Sequence, residues 1–315
     1  MIIRSLLGLV SPAGMRNRLS VLVFHRVLQR SDPLFPADIH ATQFDRLLAW
    51  VKNYFNVLAL DEALIRLKTA RLPARAAAIT FDDGYADNFL VALPLLRRHG
   101  LTSTFFIATG FADGGRMWND TVIESIRASP LAALDLGALG LGIHLISSIQ
   151  ERRTAITTII SQLKYLPHER RTELANQLAH IAHVRAPDNL MMTSDQIRAL
   201  HLSGMQIGAH TVSHPILARL GADQARAEIA NSKVFLEELL RKRIGLFAYP
   251  NGKPGADYLP EHIAMVRGLG FDAAVSTSPG AARTDTDPFQ IPRFTPWDRT
   301  SARFGTRLLK NLVQG

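Results

Sequence analysis

The sequence predicts an α/β fold, a mostly parallel sheet with helices against its outer faces, and three observations carry that expectation. Short apolar runs rich in β-branched residues recur along the chain, amphipathic stretches with helical spacing separate them, and several runs end directly in Asp or His. At 315 residues, 47% hydrophobic and 20% charged, the chain has ample material for one core of barrel size.

The elements follow in order. Val21-Leu22-Val23-Phe24 reads as a buried strand within 19–27. Phe44, Leu47, Leu48 and Val51 then recur at helical spacing in a helix that begins at Thr42. A second strand, 57–60, precedes a helix opened by Asp61, a residue suited to an N-cap. Ala76-Ala77-Ala78-Ile79-Thr80-Phe81 is the third strand and runs straight into Asp82-Asp83-Gly84. A helix over 88–98 ends at Gly100, and Ser103-Thr104-Phe105-Phe106-Ile107-Ala108 is another strand. Later strands are expected at 206–209, 246–249 and 273–276. Between about 121 and 192 the strand signal disappears, and charged helical stretches over 151–165 and 169–184 replace it. The expected organisation is a single domain over 1–315, with a core of about 19–300 and a helical insertion of about 121–192.

Composition narrows the function classes. The chain has no cysteine, which removes disulfides, thiolate metal sites and cysteine nucleophiles. No uninterrupted apolar run approaches the length of a membrane span. A net charge of +9 favours anionic partners, among them an anionic membrane touched peripherally. Nucleic acid is not expected, because there is no ladder of interleaved aromatic and basic residues for single strands. The apolar start, Met1-Ile2-Ile3-Arg4, has a thin charged region and only a loose cleavage site at Ser11-Pro12-Ala13-Gly14. The balance leans against export, toward a cytoplasmic or membrane-peripheral protein, with the periplasm left open.

The chemistry concentrates at two strand ends. Asp82 and Asp83 stand where a strand becomes a loop, the rim on which active sites of parallel α/β folds sit. Successive residues on a strand cannot point the same way, so the pair invites two roles, one facing a metal and one facing substrate. His210-Thr211-Val212-Ser213-His214 follows another expected strand, and histidines four apart share one face of a helical turn. Two histidines and one carboxylate form the set used by catalytic zinc and by non-haem iron. Each fragment alone is weak; together, each after a strand, they converge on a site.

Thr80-Phe81-Asp82-Asp83-Gly84 and His210-Thr211-Val212-Ser213-His214 resemble the two defining motifs of the polysaccharide deacetylase family (carbohydrate esterase family 4). The resemblance extends over about 21–297. It implies a distorted (β/α) barrel that hydrolyses N- or O-acetyl groups from chitin oligomers, peptidoglycan, poly-N-acetylglucosamine or xylan, here within bacterial surface or exopolysaccharide biosynthesis. It also implies a divalent metal, Zn2+ first, held by Asp83, His210 and His214, with Asp82 as base and an N-acetylated glycan as substrate. Phe247-Ala248-Tyr249-Pro250-Asn251-Gly252 resembles the third motif, which makes Tyr249, Pro250 and Asn251 substrate-binding residues and the Tyr249 backbone N–H an oxyanion donor.

Two departures stand out. The arginine that usually opens the third motif is absent, and Arg293 is read as its substitute beside Asp82 and the substrate, or else as a surface ion pair. The family's late Leu-x-His has no match, but His25 ends the first strand, as the acid histidine does in a circularly permuted branch. The alternative for His25 is a buried, hydrogen-bonded histidine. Trp118 is read as stacking on a sugar ring or as packing in the core. Two rival functions remain: an iron oxygenase, which has no use for Asp82, and a non-catalytic carbohydrate-binding relative, which has no use for a base.

Overall fold

A computed structural model describes residues 2–314. It contains helices α1 (Ile2–Val10), α2 (Ala41–Tyr54), α3 (Leu60–Lys68), α4 (Leu93–His99), α5 (Trp118–Ala128), α6 (Ile149–Leu163), α7 (His168–Ile181), α8 (Ser194–Leu202), α9 (Ala222–Leu240), α10 (Pro260–Gly268) and α11 (Ser301–Gln314). The strands are β1 (Ser20–Phe24), β2 (Asn56–Val57), β3 (Ala76–Phe81), β4 (Thr104–Ile107), β5 (Ala133–Leu136), β6 (Gly142–Leu145), β7 (Gln206–Ala209), β8 (Leu246–Ala248) and β9 (Ala273–Val275).

The main sheet runs β1-β3-β4-β7-β8-β9, with β2 beside the first residues of β3, and all its pairs are parallel. Two single bridges, Val275 to Ile291 and Leu22 to Phe294, carry the 291–294 segment from β9 to β1. The curled sheet thereby joins first strand to last, the neighbour relation that a permuted order requires. This is the distorted β/α barrel expected from the sequence.

Strand parity sorts the core. Ala76 and Ala78 share a buried cluster with Leu19, Val21, Phe106 and Val275, joined by Leu60, Ala63 and Leu67 of α3. Ala77, Ile79 and Phe81 instead meet Phe44, Leu47 and Leu48 of α2 and Leu96 of α4. Both faces of β3 are covered, which is why its sequence is continuously apolar rather than alternating. Continuing the alternation, Thr80 and Asp82 belong to the same face as Ala76 and Ala78.

Three expectations need correction. Asp61 does not cap α3, which starts one residue earlier at Leu60 with Ala59 in the capping position. The helix expected over 88–98 opens with a π turn at Asn88–Ala92 before α4 begins, just where Pro94 offers no N–H to the ladder. The insertion is not purely helical: β5 and β6 form an antiparallel hairpin within it. In β5 only Leu134 and Leu136 are buried, too short an alternation to register in the sequence. They join Val122, Ile156, Ile159, Leu174 and Leu178 in a cluster of the insertion's own. α6 starts at a capping box in which Ser148 and Glu151 exchange hydrogen bonds, a signal that was present in the sequence.

Candidate active site

Four strand ends meet on one rim. β3 delivers Asp82 and Asp83, β7 delivers His210, β1 delivers His25, and the closing segment delivers Arg293. Because Phe24 is in register with Phe81, and the Asp82 N–H donates to the Phe24 carbonyl at 2.9 Å, His25 follows beside Asp82.

Asp82 is fixed by Arg293, whose side chain is 0% exposed. Two guanidinium nitrogens donate to the two carboxylate oxygens at 2.7 Å each. The Arg293 Nε–H donates to the Ser276 carbonyl at 2.7 Å, and a third contact reaches the Thr80 hydroxyl at 3.2 Å. Burial alone would push the Asp82 carboxyl up, but Arg293, His210 and His25 hold it below its ordinary value. The group is an ionised, oriented carboxylate. Arg293 is thus placed to orient Asp82 and lies outside the cavity lining, and the surface ion pair is excluded by its burial.

Asp83 points elsewhere because its backbone is left-handed, with φ +76°. Gly84 follows at φ +90°, where a Cβ would also come within 3.2 Å of Ile107, so glycine is required there. The turn places Asp83 Oδ1 3.5 Å from His210 Nε2 and 3.4 Å from His214 Nε2, buried and without a hydrogen-bond partner among the described residues. His210 donates its Nδ1–H to the Ala248 carbonyl at 2.7 Å, which leaves Nε2 as the free lone pair.

The histidines do not lie on a helical turn, as their spacing suggested. Thr211 and His214 both have positive φ, and the segment is an irregular loop. Glu228 of α9 holds that loop, accepting from the Val212 and Ser213 N–H groups and the Ser213 hydroxyl at 2.7–2.9 Å. On the other side the Gly110 N–H donates to the Val212 carbonyl at 2.8 Å. A Cβ at Gly110 would collide with that same carbonyl oxygen at 2.8 Å, so the close approach depends on glycine. Sequence reasoning missed Glu228, whose position in mid-helix gives no signal until the helix is packed.

The donor set fits a divalent cation. Asp83, His210 and His214 can offer one ligand atom each within 4.8 Å of one another. Metal bonds of about 2.0–2.1 Å in a tetrahedron put ligand atoms roughly 3.3 Å apart, close to the 3.5 and 3.4 Å that separate Asp83 from His210 and His214. Burial, helped by His210, pushes His214 down to about 4 despite the pull of Asp83, so at neutral pH it is the unprotonated, ligating form. Burial would raise Asp83, but its histidine neighbours hold it well below the ordinary carboxylate range. His214→Ala should leave the purified protein strongly depleted in metal by elemental analysis. Full metal content in that variant would rule out this ligand set.

A cavity of about 410 Å³ opens beside the triad, with His25, Arg26, Tyr85, Asp83, Asp120 and Trp297 in its lining. His25 is exposed rather than buried. Its carbonyl accepts from the Asn88 side chain at 2.8 Å, which fixes the backbone at the rim.

The residues expected from the third motif fall differently. The Tyr249 N–H donates to the Val275 carbonyl at 3.3 Å, so the expected oxyanion donor is engaged in the sheet. The Tyr249 ring is buried and stacks on Tyr258 at 3.8 Å instead of walling the cavity. Neither Pro250, which is buried, nor Asn251, held at φ +57°, lines the cavity. Trp118 also lies outside the cavity lining, packed on the insertion core with the Arg171 guanidinium 4.8 Å from its ring centre. The tryptophan in the lining is Trp297, 58% exposed, with Arg307 4.2 Å from its ring centre. An isolated tryptophan in a loop carries no periodic signal in the sequence.

A family model described as polysaccharide deacetylase matches residues 69–134 and 168–274 of this chain. The matched stretches contain Asp82, Asp83, His210 and His214 but neither His25 nor Arg293. A curated relative from Bacillus subtilis (strain 168), YxkH, provisionally named a polysaccharide deacetylase, is 20% identical over 278 residues, 88% of this chain and 70% of its own. Among solved structures, the Streptococcus pyogenes deacetylase PplD in complex with acetate superposes with a TM-score of 0.61 at 19% identity, covering 94% of this chain and 98% of that one. IcaB from Ammonifex degensii superposes with a TM-score of 0.60 at 19% identity and the same coverage, 94% and 98%. A de-N-acetylase from Aggregatibacter actinomycetemcomitans gives 0.56 at 17% identity over 88% and 94%.

Proposed function

The chain belongs to the polysaccharide deacetylase family and is a deacetylase hydrolase acting on an acetylated glycan; on that footing we propose that it removes N-acetyl groups from an amino-sugar polysaccharide of the bacterial surface, with zinc as its metal. One observation carries the catalytic part of this reading. An ionised carboxylate, Asp82, is clamped by a buried arginine directly beside a convergent Asp83-His210-His214 triad. An iron oxygenase gives that clamped carboxylate nothing to do.

The residues divide the work as follows. Asp83, His210 and His214 would hold the cation, which supplies Lewis acidity to the acetyl carbonyl and to the attacking water. Asp82 takes the proton of that water as attack begins. Arg293 keeps both Asp82 oxygens in one orientation, so little geometry has to be found at the moment of reaction. His25, at the next strand end, gives a proton to the sugar nitrogen as its bond to the acetyl carbon breaks. Acetate and a free amine leave.

The choice of N-acetyl over O-acetyl rests on His25. An amide nitrogen is too basic to depart as an anion and needs an acid; an activated ester does not. His25→Ala should therefore damage acetate release from an N-acetylated glycan far more than hydrolysis of an aryl acetate by the same metal-loaded protein. Equal losses on both substrates, or none on either, would make His25 structural. Acetate release from a panel of N- and O-acetylated glycans tests the whole reading, and a metal-loaded protein that binds glycans but releases nothing would instead be a binding relative.

A further inference from the structure

The cavity beside Asp83 contains a buried carboxyl that the proposed chemistry leaves unused. Asp120 sits in the first turn of α5, is 3% exposed, and lines the cavity. Its two oxygens lie 3.1 and 3.2 Å from the Tyr85 hydroxyl, which has a single proton to give. The cation nearby is committed elsewhere: Arg26 lies 4.6 Å from the Tyr85 ring centre, yet its Nε–H donates to Asp87 at 2.8 Å. Asp120 thus has no ion-pair partner within 4 Å among the described residues, and burial pushes its carboxyl up to about 7 against the opposing pull of Arg26.

Such a group costs free energy to bury. Pinning Tyr85 to α5 does not require it, because a neutral amide would accept the same phenol without a charge to desolvate. The rest of the cavity suits a sugar: Trp297, more than half exposed, is part of its lining, and a pyranose has an apolar face to lay on an indole. A ring hydroxyl both donates and accepts, so it can pair with a carboxyl in either protonation state, which an ether or carbonyl oxygen cannot.

We propose that Asp120, held by Tyr85, is a specificity-determining residue that hydrogen-bonds one ring hydroxyl of the sugar seated in this cavity. The inference rests on the deacetylase reading above and adds to it the residue that recognises the sugar ring itself. Arg26 and Asp87 brace the arrangement from the β1 and β3 ends.

The test is a thermodynamic cycle between protein and substrate. Acetate release is measured for a β-linked N-acetylglucosamine pentamer and for analogues each lacking one ring hydroxyl, with wild-type protein and with Asp120→Ala, which removes both the acceptor and the donor. Asp120→Ala should raise KM more than it lowers kcat and reduce kcat/KM about 10- to 100-fold, the usual worth of a hydrogen bond to a charged group. One analogue should suffer a similar loss with wild-type protein and little further loss with Asp120→Ala. Losses that multiply independently for every analogue, or a variant with unchanged KM, would overturn the proposal. Should Asp120→Ala not fold, the wild-type protein still decides, because no analogue losing tenfold or more would also overturn it. If wild-type protein releases no acetate at all, the deacetylase reading fails instead, and calorimetric binding of the same oligomers then judges Asp120 separately.

Discussion

Replacing Asp82 by asparagine is expected to lower deacetylation by about 10²- to 10⁴-fold, the range that a positioned general base contributes. Asparagine is nearly the same size, and its side-chain oxygen can still accept from Arg293, whose remaining contacts to Ser276 and Thr80 are untouched. The substitution takes the counter-charge from buried Arg293 and so costs stability, but the Asp83-His210-His214 set is untouched, and metal analysis of the folded Asp82→Asn protein should match the parent. What disappears is the lone pair that takes the proton of water. Because both amide and ester hydrolysis begin with that step, Asp82→Asn should damage the N-acetylated glycan and the aryl acetate alike, in contrast to His25→Ala. Near-normal turnover with metal bound would mean that the base lies elsewhere on the rim.

The strand-end residues were legible in the sequence because their signals are local. An apolar run that stops at Asp82-Asp83-Gly84 announces both a strand and the carboxylates at its end, and the structure places β3 at Ala76–Phe81, as expected. His210 follows β7 for the same reason. Non-local relations were harder. The spacing of His210 and His214 suggested a helix, whereas the loop owes its shape to Glu228, reached from α9, and to the missing side chain of Gly110. Nothing within five residues could have shown that. The motif makes the Tyr249 N–H an oxyanion donor, but that N–H is taken by Val275 on the neighbouring strand, a partner set by sheet register rather than by sequence neighbours. Trp118 and Asp120 stand two residues apart in the same helical turn, and from sequence alone the tryptophan is the more obvious sugar contact. The structure turns it toward the insertion core and leaves Asp120 in the cavity lining.

Arg293 is where fold and chemistry depend on each other most directly, and Arg293→Met is expected to cost about 3–5 kcal/mol of stability, the usual penalty for stripping one partner from a buried ion pair. The structure supports the upper part of that range. Arg293 is fully buried, Asp82 nearly so, and the two share a bidentate contact at 2.7 Å. Methionine fills a similar length of the barrel but leaves the Asp82 carboxylate without its cation. The measurement is urea unfolding of metal-loaded proteins, where the loss should be read as a lower midpoint at similar slope. A second variant separates the charge from the packing. With Asp82→Leu added to Arg293→Met, no buried charge is left unpaired, and much of the lost stability should return even though the base is gone. If Arg293→Met alone costs less than about 1 kcal/mol, the pair behaves as a solvated surface bridge, and Arg293 cannot be what holds Asp82 in place.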